Sequence, residues 1–170
     1  MSIEHVRPLD WGNLEGGLVR MMDRFLREGT MTGDLEADEY LRRNANAALL
    51  GLLYDQRMRA EPAFMGPQRL EERLGHLDMR RIAEMDLEDL RAVFAAKPAI
   101  HRFTNRMAEM THQIARVLTE EYAGDAANIW KDAPDFETIR ARALRLPGYG
   151  PQKADKLRFV LHYFGYRDFA

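Results

Sequence analysis

The 170-residue sequence contains no cysteine. Disulfides, thiolate zinc sites and cysteine-ligated iron–sulfur clusters are therefore excluded. The sequence has no apolar run close to the roughly 18–20 residues that a helix needs to cross a bilayer, and no secretory signal at its start. These absences predict a cytoplasmic protein that needs no iron–sulfur cluster.

A strong net charge is also missing, because the chain carries only −2 at pH 7. The charge is nevertheless uneven: residues 138–167 hold seven Arg or Lys residues and one Asp, a local charge of +6. A basic end on an otherwise acidic protein is what a localised phosphate-binding face looks like. A solvated pair of basic helices explains the charge equally well.

Alternating strand patterns, internal repeats and low-complexity tracts are absent as well. Apolar residues instead recur at steps of three and four, which predicts helices almost throughout. The expected fold is all-α, an orthogonal multi-helix bundle forming a single helical domain over residues 1–170, with two lobes as one arrangement. None of the spacings of His101, His112 and His162 is typical of a metal site.

Caps and breakers mark the expected helix ends. The first helix ends near Gly29, and a second helix through residues 40–53 is the most buried. Pro62, Gly66 and Pro67 interrupt the chain before a short helix that Gly75 closes. Later helices are expected at 79–85 behind Asp78, at 87–96 behind Asp86, at about 107–123 before Gly124, from Asp135 to Leu146, and from Pro151 to Gly165.

Residues 146–155 carry the most information and read Leu-Pro-Gly-Tyr-Gly-Pro-Gln-Lys-Ala-Asp. One helix ends, a glycine-containing turn follows, and a new helix opens with Pro151 suited to its first position. Exposed amide groups at such a helix start can bind a phosphate, and Lys153 and Lys156 add positive charge there. A plain helix-to-helix turn is the alternative interpretation.

This segment resembles the helix-hairpin-helix of the endonuclease III-like (HhH-GPD) DNA glycosylase superfamily. Residues 49–56, which end in Tyr-Asp-Gln, resemble the buried helix that leads to a DNA-contacting glutamine. Residues 103–124 resemble the long helix before the hairpin. The Glu-Pro-Ala-Phe at 61–64 and the following Gly-Pro resemble an uncharacterised bacterial branch without the iron–sulfur cluster. The similarity covers about residues 37–166, with the helix-hairpin-helix at about 136–164.

The resemblance implies roles for individual residues. The hairpin residues Pro147, Gly148, Tyr149 and Gly150 would bind DNA, with amides around the two glycines holding a phosphate of the lesion-bearing strand. Gln56 would enter the minor groove and help to fill the gap left by an extruded base; an exposed helix-terminal amide is the alternative. Some relatives hold a sodium or potassium ion on three backbone carbonyls, which correspond here to Leu144, Leu146 and Tyr149.

The chain departs from the superfamily at both catalytic positions. The lysine that forms a Schiff base in bifunctional members is replaced by Gln152, so lyase activity is not expected. Lys153 is adjacent, but one helical step of about 100° should turn it away, which favours a phosphate contact over a catalytic role. The nearest match to the catalytic aspartate is Asp168, for which a solvated terminal carboxylate is the favoured interpretation.

Three functions therefore compete. The first is a monofunctional glycosylase acting on double-stranded DNA with a damaged or mismatched base, where Asp168 or a carboxylate brought near by folding assists hydrolysis. The second is an inactive module that recognises distorted DNA, and the third an interaction protein. Tyr54, Trp130 and Tyr166 are candidates for stacking on an extruded base.

Overall fold

The computed structural model describes residues 6–170, and in that range the chain is all-helical, as the periodicity predicts. No helix there is long and apolar enough to cross a membrane. The ten helices of these residues are α1 (Gly17–Glu28), α2 (Leu35–Arg43), α3 (Ala45–Tyr54), α4 (Ala60–Leu74), α5 (Met79–Glu84), α6 (Leu87–Ala95), α7 (Thr104–Glu121), α8 (Ala127–Trp130), α9 (Phe136–Ala143) and α10 (Pro151–Tyr163).

Most helix ends lie where capping residues predict them. The Asp78 and Asp86 carboxylates accept hydrogen bonds from the first free amides of α5 and α6, and Asp135 caps α9 in the same way. These bonds satisfy amide groups that have no partner within the helix. Gly29 and Gly75 end α1 and α4 in the left-handed conformation that a glycine adopts without strain.

The expected second helix through residues 40–53 is wrong, because α2 and α3 are separate. Asn44 between them has an extended backbone, with φ −123° and ψ 93°, and its side-chain amide donates to the Tyr40 carbonyl at 2.7 Å. That bond satisfies a free carbonyl at the end of α2 and competes with continued helix. As expected, α3 is the most buried helix, with every residue from Ala47 to Tyr54 buried.

The expected interruption at Pro62, Gly66 and Pro67 is also wrong, since all three lie inside α4. Pro62 is the third helical residue, where the missing amide N–H costs no helical hydrogen bond. Pro67 is buried in the middle of the helix. Gly66 permits close packing, because a β-carbon there would lie only 2.9 Å from the Tyr54 ring. Tertiary packing of α4 on α3 therefore stabilises a helix that local preference alone would break.

Two groups of helices share the core. In one, α3 packs against α2, α4 and α10, while in the other α7 packs against α5 and α6. The buried hydroxyls of Tyr54 in α3 and Thr111 in α7 hydrogen-bond at 2.8 Å and connect the groups. Because α10 packs on α3, the C-terminal end of α3 lies beside the α9–α10 hairpin, where the candidate site is found.

Candidate nucleic-acid interface

A cleft of about 680 Å³ separates the residues after α3 from the start of α10. It brings together parts of the chain nearly 100 residues apart, because α10 packs directly on α3. The residues that line it are Asp55, Gln56, Arg57, Gly148, Gly150, Pro151, Gln152, Lys153 and Lys156. Six of these were predicted to bind DNA or stand at the catalytic lysine's position, namely Gln56, Gly148, Gly150, Gln152, Lys153 and Lys156.

The turn between α9 and α10 is held in place by Tyr149. Its side chain is buried, and its hydroxyl donates to the Leu49 carbonyl of α3 at 2.6 Å. Burial raises the pKa of this hydroxyl well above its ordinary value. The Tyr149 side chain thus anchors the hairpin and cannot meet DNA, which leaves only its backbone for contact. Pro147 is half-buried in the same turn.

The two glycines of the turn differ in whether the fold could accommodate a side chain at their positions. Gly148 has φ +79°, and a β-carbon there would lie 2.6 Å from Leu53 Cδ1 and 3.3 Å from Met110 Sδ. The fold itself therefore requires glycine at 148. Gly150 has φ −96°, which any residue adopts, and a β-carbon there would meet no protein atom within 4 Å. Packing inside the described protein therefore does not require glycine at 150.

Gly150 is the N-cap of α10 and leaves the first turn of that helix open to the cleft. Pro151 has no amide N–H, whereas the amides of Gln152 and Lys153 belong to the set that has no carbonyl partner within the helix. Donors of this kind, with the positive end of the helix dipole behind them, suit an anion. The absence of a side chain at 150 allows that anion to approach the backbone.

Lys153 was expected to turn away from the position of the nucleophile at 152, but its side chain lines the same cleft as Gln152. Both Gln152 and Lys153 line the cleft, and Lys153 is half-buried while Gln152 is exposed. The Lys153 Nζ donates to the Gln56 side-chain oxygen at 3.4 Å. Burial lowers the pKa of Lys153, and the charges of Lys156 and Arg106 lower it further, while Asp55 opposes the shift. The side chains of two successive residues of α10, Gln152 and Lys153, therefore border the same cleft.

Asp55 is a cleft residue to which the sequence analysis assigned no role. It is half-buried at the end of α3, and this burial raises its pKa, although Lys156 and Lys153 act in the opposite direction. A carboxylate and an amine whose pKa values are displaced in opposite directions within one cleft are typical of functional sites. In the sequence, the feature that could have identified Asp55 as a site residue is its position directly before Gln56.

Asp168 lies elsewhere. Its carboxylate pairs with Arg7 at 3.1 Å and accepts the Ala170 amide at 2.9 Å, and the His162 Nδ1 lies 3.8 Å away. The Ala170 amide and the Arg7 guanidinium lower its pKa. Its side chain is 44% exposed. These contacts connect the two ends of the described chain, and Asp168 does not line the cleft with Lys153.

Only part of the basic C-terminal segment faces the cleft. Arg140 pairs with Asp155 at 2.6 Å, Arg142 donates to the Ile129 carbonyl at 2.8 Å, and Arg167 donates to two carbonyls near α8. Lys153 and Lys156 are the residues of that segment that line the cleft, together with Arg57 from beyond α3. The positive surface is therefore assembled from two separate stretches of chain.

Two of the three candidate stacking residues are buried in the protein interior, and the third is half-buried. Tyr54 and Trp130 are 0% and 1% exposed, so neither is available to a base. Tyr166 packs edge-on against the Trp130 ring, and its hydroxyl donates to the Leu41 carbonyl. Tyr54 and Trp130 therefore cannot stack on a base in this conformation, and Tyr166 already has contacts of its own.

The carbonyls proposed for a monovalent cation lie in the turn before α10. The Leu146 carbonyl accepts the Tyr149 amide at 3.1 Å, and a carbonyl oxygen has a second lone pair that remains suited to a hard cation. Residues 6–170 hold no cluster of three His, Asp or Glu side chains arranged for a metal ion.

Comparison with protein families and with curated proteins adds no assignment: no family model matches the chain, and no curated protein is similar enough to be counted as a relative.

Proposed function

We propose that this chain is a base-excision repair protein of the DNA-glycosylase type that binds duplex DNA through the α9–α10 hairpin and hydrolytically removes a damaged or mismatched base. The observation that carries the proposal is the open start of α10 at Gly150, where even a β-carbon would meet no protein atom within 4 Å. A DNA phosphate suits this position, because it needs close backbone approach and free amides.

The other cleft residues fit the same duplex. Lys153 and Lys156 stand beside the open amides and supply positive charge to the backbone of the strand. Gln56 projects from the opposite wall, held against Lys153, and its amide can occupy the space of an extruded base. A sodium or potassium ion on the carbonyls of Leu144, Leu146 and Tyr149 would strengthen the phosphate contact. Such a protein would act on chromosomal DNA in the cytoplasm.

Asp55 is the carboxylate that folding brings to the cleft. In the proposed reaction the bond between the sugar C1′ and the base nitrogen breaks and the base leaves with the electron pair. A water molecule adds its hydroxyl to C1′ and gives up a proton, which balances the protonation of the leaving base. The ionised Asp55 carboxylate stabilises the positive charge that develops on the sugar and orients this water.

The test incubates the protein with duplexes carrying uracil, an oxidised pyrimidine, 8-oxoguanine, an alkylated purine or a mismatched adenine. Strand breaks that appear only after alkali are the expected result for hydrolysis without lyase activity. Breaks without alkali would show that Lys153 acts as a nucleophile. The absence of breaks on every duplex would overturn the enzymatic part of the proposal.

One observation favours a second candidate, a binding module without catalytic activity. Gln152 occupies the position of the family nucleophile, and Asp168 is engaged with Arg7 outside the cleft. Such a module would bind duplexes containing an abasic-site analogue, with affinity that falls steeply as salt is raised, and would release no base.

A further inference from the structure

A second cavity of about 620 Å³ is lined by residues of α4 and of the loop before α7, together with Met58 and Arg59, which directly follow the cleft residues 55–57. Its apolar wall is formed by Met58, Met65 and Ile100. Cavities of this size, with apolar walls and a few polar groups, are typical of sites for small organic molecules. Nothing in the proposed phosphate contact uses this cavity.

The polar part of the cavity is almost entirely basic. Arg24, Arg59, Arg69 and Arg102 line it against a single acidic residue, Glu61, which gives a net charge of +3. Arg59, Arg69 and Arg102 are exposed, and none of them forms an ion pair with a carboxylate of residues 6–170. Their guanidinium groups donate hydrogen bonds and accept none.

Glu61 does not make the cavity attractive to a positively charged ligand. Its Oε1 accepts from Arg20 at 3.2 Å and from Arg24 at 3.1 Å, and its Oε2 accepts from Arg20 at 3.0 Å. Burial alone would raise its pKa, but these arginines lower it to about 2. The carboxylate is therefore ionised and already neutralised by its own partners, so it offers little attraction to a cationic ligand.

The walls are held in place by their own contacts. Arg73 donates to the Val93 carbonyl at 2.8 Å and also to the Pro98 carbonyl, which holds the loop before α7 against α4. At the cavity, His101 Nδ1 accepts the Phe103 amide at 2.9 Å and Nε2 donates to the Tyr54 carbonyl at 2.8 Å. The cavity is thus preformed.

His101 also connects the two clefts. Burial lowers the pKa of His101, the hydrogen bond to the Tyr54 carbonyl opposes this shift, and the positive charge of Lys153 lowers the pKa further. The Tyr54 carbonyl that His101 binds is followed directly by Asp55 and Gln56 of the DNA cleft. Residues 55–57 line the first cleft and the next two residues, Met58 and Arg59, line this cavity, so one short segment borders both.

We infer that this cavity receives the extruded base and that its charge selects a neutral or anionic base rich in carbonyl oxygens over a positively charged alkylated purine. The inference rests on the proposed function. Carbonyl oxygens accept from guanidinium groups, the faces of a planar ring pack on Met58 and Met65, and a cationic base meets three uncompensated like charges.

The test measures dissociation constants for duplexes that differ at one nucleotide, each with a 2′-fluoroarabino sugar that resists base release. One duplex carries an abasic-site analogue, a carbonyl-rich set carries uracil or 8-oxoguanine, and a cationic set carries 7-methylguanine. We expect at least one carbonyl-rich duplex to bind about tenfold more tightly than the abasic duplex, the value of one good charged hydrogen bond, and the 7-methylguanine duplex to show no gain.

The decisive variant is the double substitution Arg69→Gln with Arg102→Gln, with the exposed Arg80→Gln on α5 as the matched control. The double variant should lose the gain for the carbonyl-rich base and keep the affinity for the abasic duplex, while the control keeps both. Equal loss on both duplexes would show that these arginines hold phosphate and would overturn the inference. So would tight binding of 7-methylguanine. A wild-type protein that binds no duplex at all would instead refute the proposed function.

Discussion

The side-chain nitrogen of Lys153 lies 3.4 Å from the side-chain oxygen of Gln56, although 97 positions separate the two residues in the sequence. The contact joins the first turn of α10 to the segment that follows α3, and both residues line the candidate cleft. Lys153 is half-buried there, and Asp55 lines the same cleft.

The two hairpin glycines should respond in opposite ways to substitution. Gly148→Ala is expected to lower the free energy of unfolding by about 1–3 kcal/mol, because it introduces strain at positive φ and a contact with Leu53. Gly150→Asp should keep or slightly raise stability, since aspartate is a better N-cap than glycine in this extended conformation. Chemical denaturation measures both effects.

The same Gly150→Asp variant should lose DNA binding. Its carboxylate would stand where the phosphate approaches, and opposed like charges cost several kcal/mol, a loss of about a hundredfold or more in affinity. Fluorescence anisotropy with a labelled duplex measures it, with Gly150→Ala as a milder control. A stable Gly150→Asp protein with unchanged affinity would contradict the phosphate site.

Lys153→Gln should reduce the salt dependence of DNA binding. Removal of one phosphate contact lowers the slope of log affinity against log salt by about 0.9. The exposed Lys131→Gln, at the end of α8 and outside the cleft lining, serves as the control and should leave the slope unchanged. Burial lowers the pKa of Lys153, so this side chain loses its positive charge earlier as the pH rises than an ordinary lysine does. Its contribution to DNA binding should therefore be lost, on raising the pH, before the ordinary lysine value of 10.5 is reached.

Asp55→Asn should lower the rate of base release by about a hundredfold or more, as expected for loss of a catalytic carboxylate. Asp168→Asn should leave the rate unchanged, because Asp168 pairs with Arg7 outside the cleft. Single-turnover assays on the substrate duplex compare the two variants. An active Asp55→Asn protein would remove Asp55 from the mechanism.

The raised pKa of Asp55 has two measurable consequences. The folded state holds this proton more tightly than the unfolded chain, so the stability contribution of Asp55 falls as pH rises from its unfolded pKa through its folded pKa. Asp55→Asn should therefore be slightly more stable than wild type at pH 7. Base release by wild type should decline on the acidic side at a pH above the ordinary aspartate pKa.

Glu61→Gln should destabilise the protein in a pH-dependent manner. The folded pKa of about 2 lies below the ordinary 4.5, so the ion pairs stabilise the fold fully above pH 4.5 and lose that effect as pH falls towards 2. With allowance for the half-exposed Arg20, we expect a loss of about 2 kcal/mol at pH 7 and no difference near pH 2. The exposed Glu36→Gln provides a control, and an equal loss at both pH values would argue against the ion pairs.

The sequence by itself determined the helical class and most helix ends. Helix signals act through contacts within about four residues, so they can be predicted without the rest of the chain. Examples are the periodic apolar residues, the N-caps Asp78 and Asp86, and Gly75 at the end of α4. The turn between α9 and α10 was predictable for the same reason. The Leu-Pro-Gly-Tyr-Gly segment specifies its own backbone.

The tertiary structure decided everything that depends on distant partners. Pro67 stays helical because α4 packs on α3, and Arg142 turns inward because the Ile129 carbonyl lies beside it. Asp55 meets Lys153 because α10 crosses the end of α3, whereas Asp168 is drawn to Arg7. Such pairings depend on the directions in which whole helices pack against each other. Those directions cannot be predicted from a local pattern of residues.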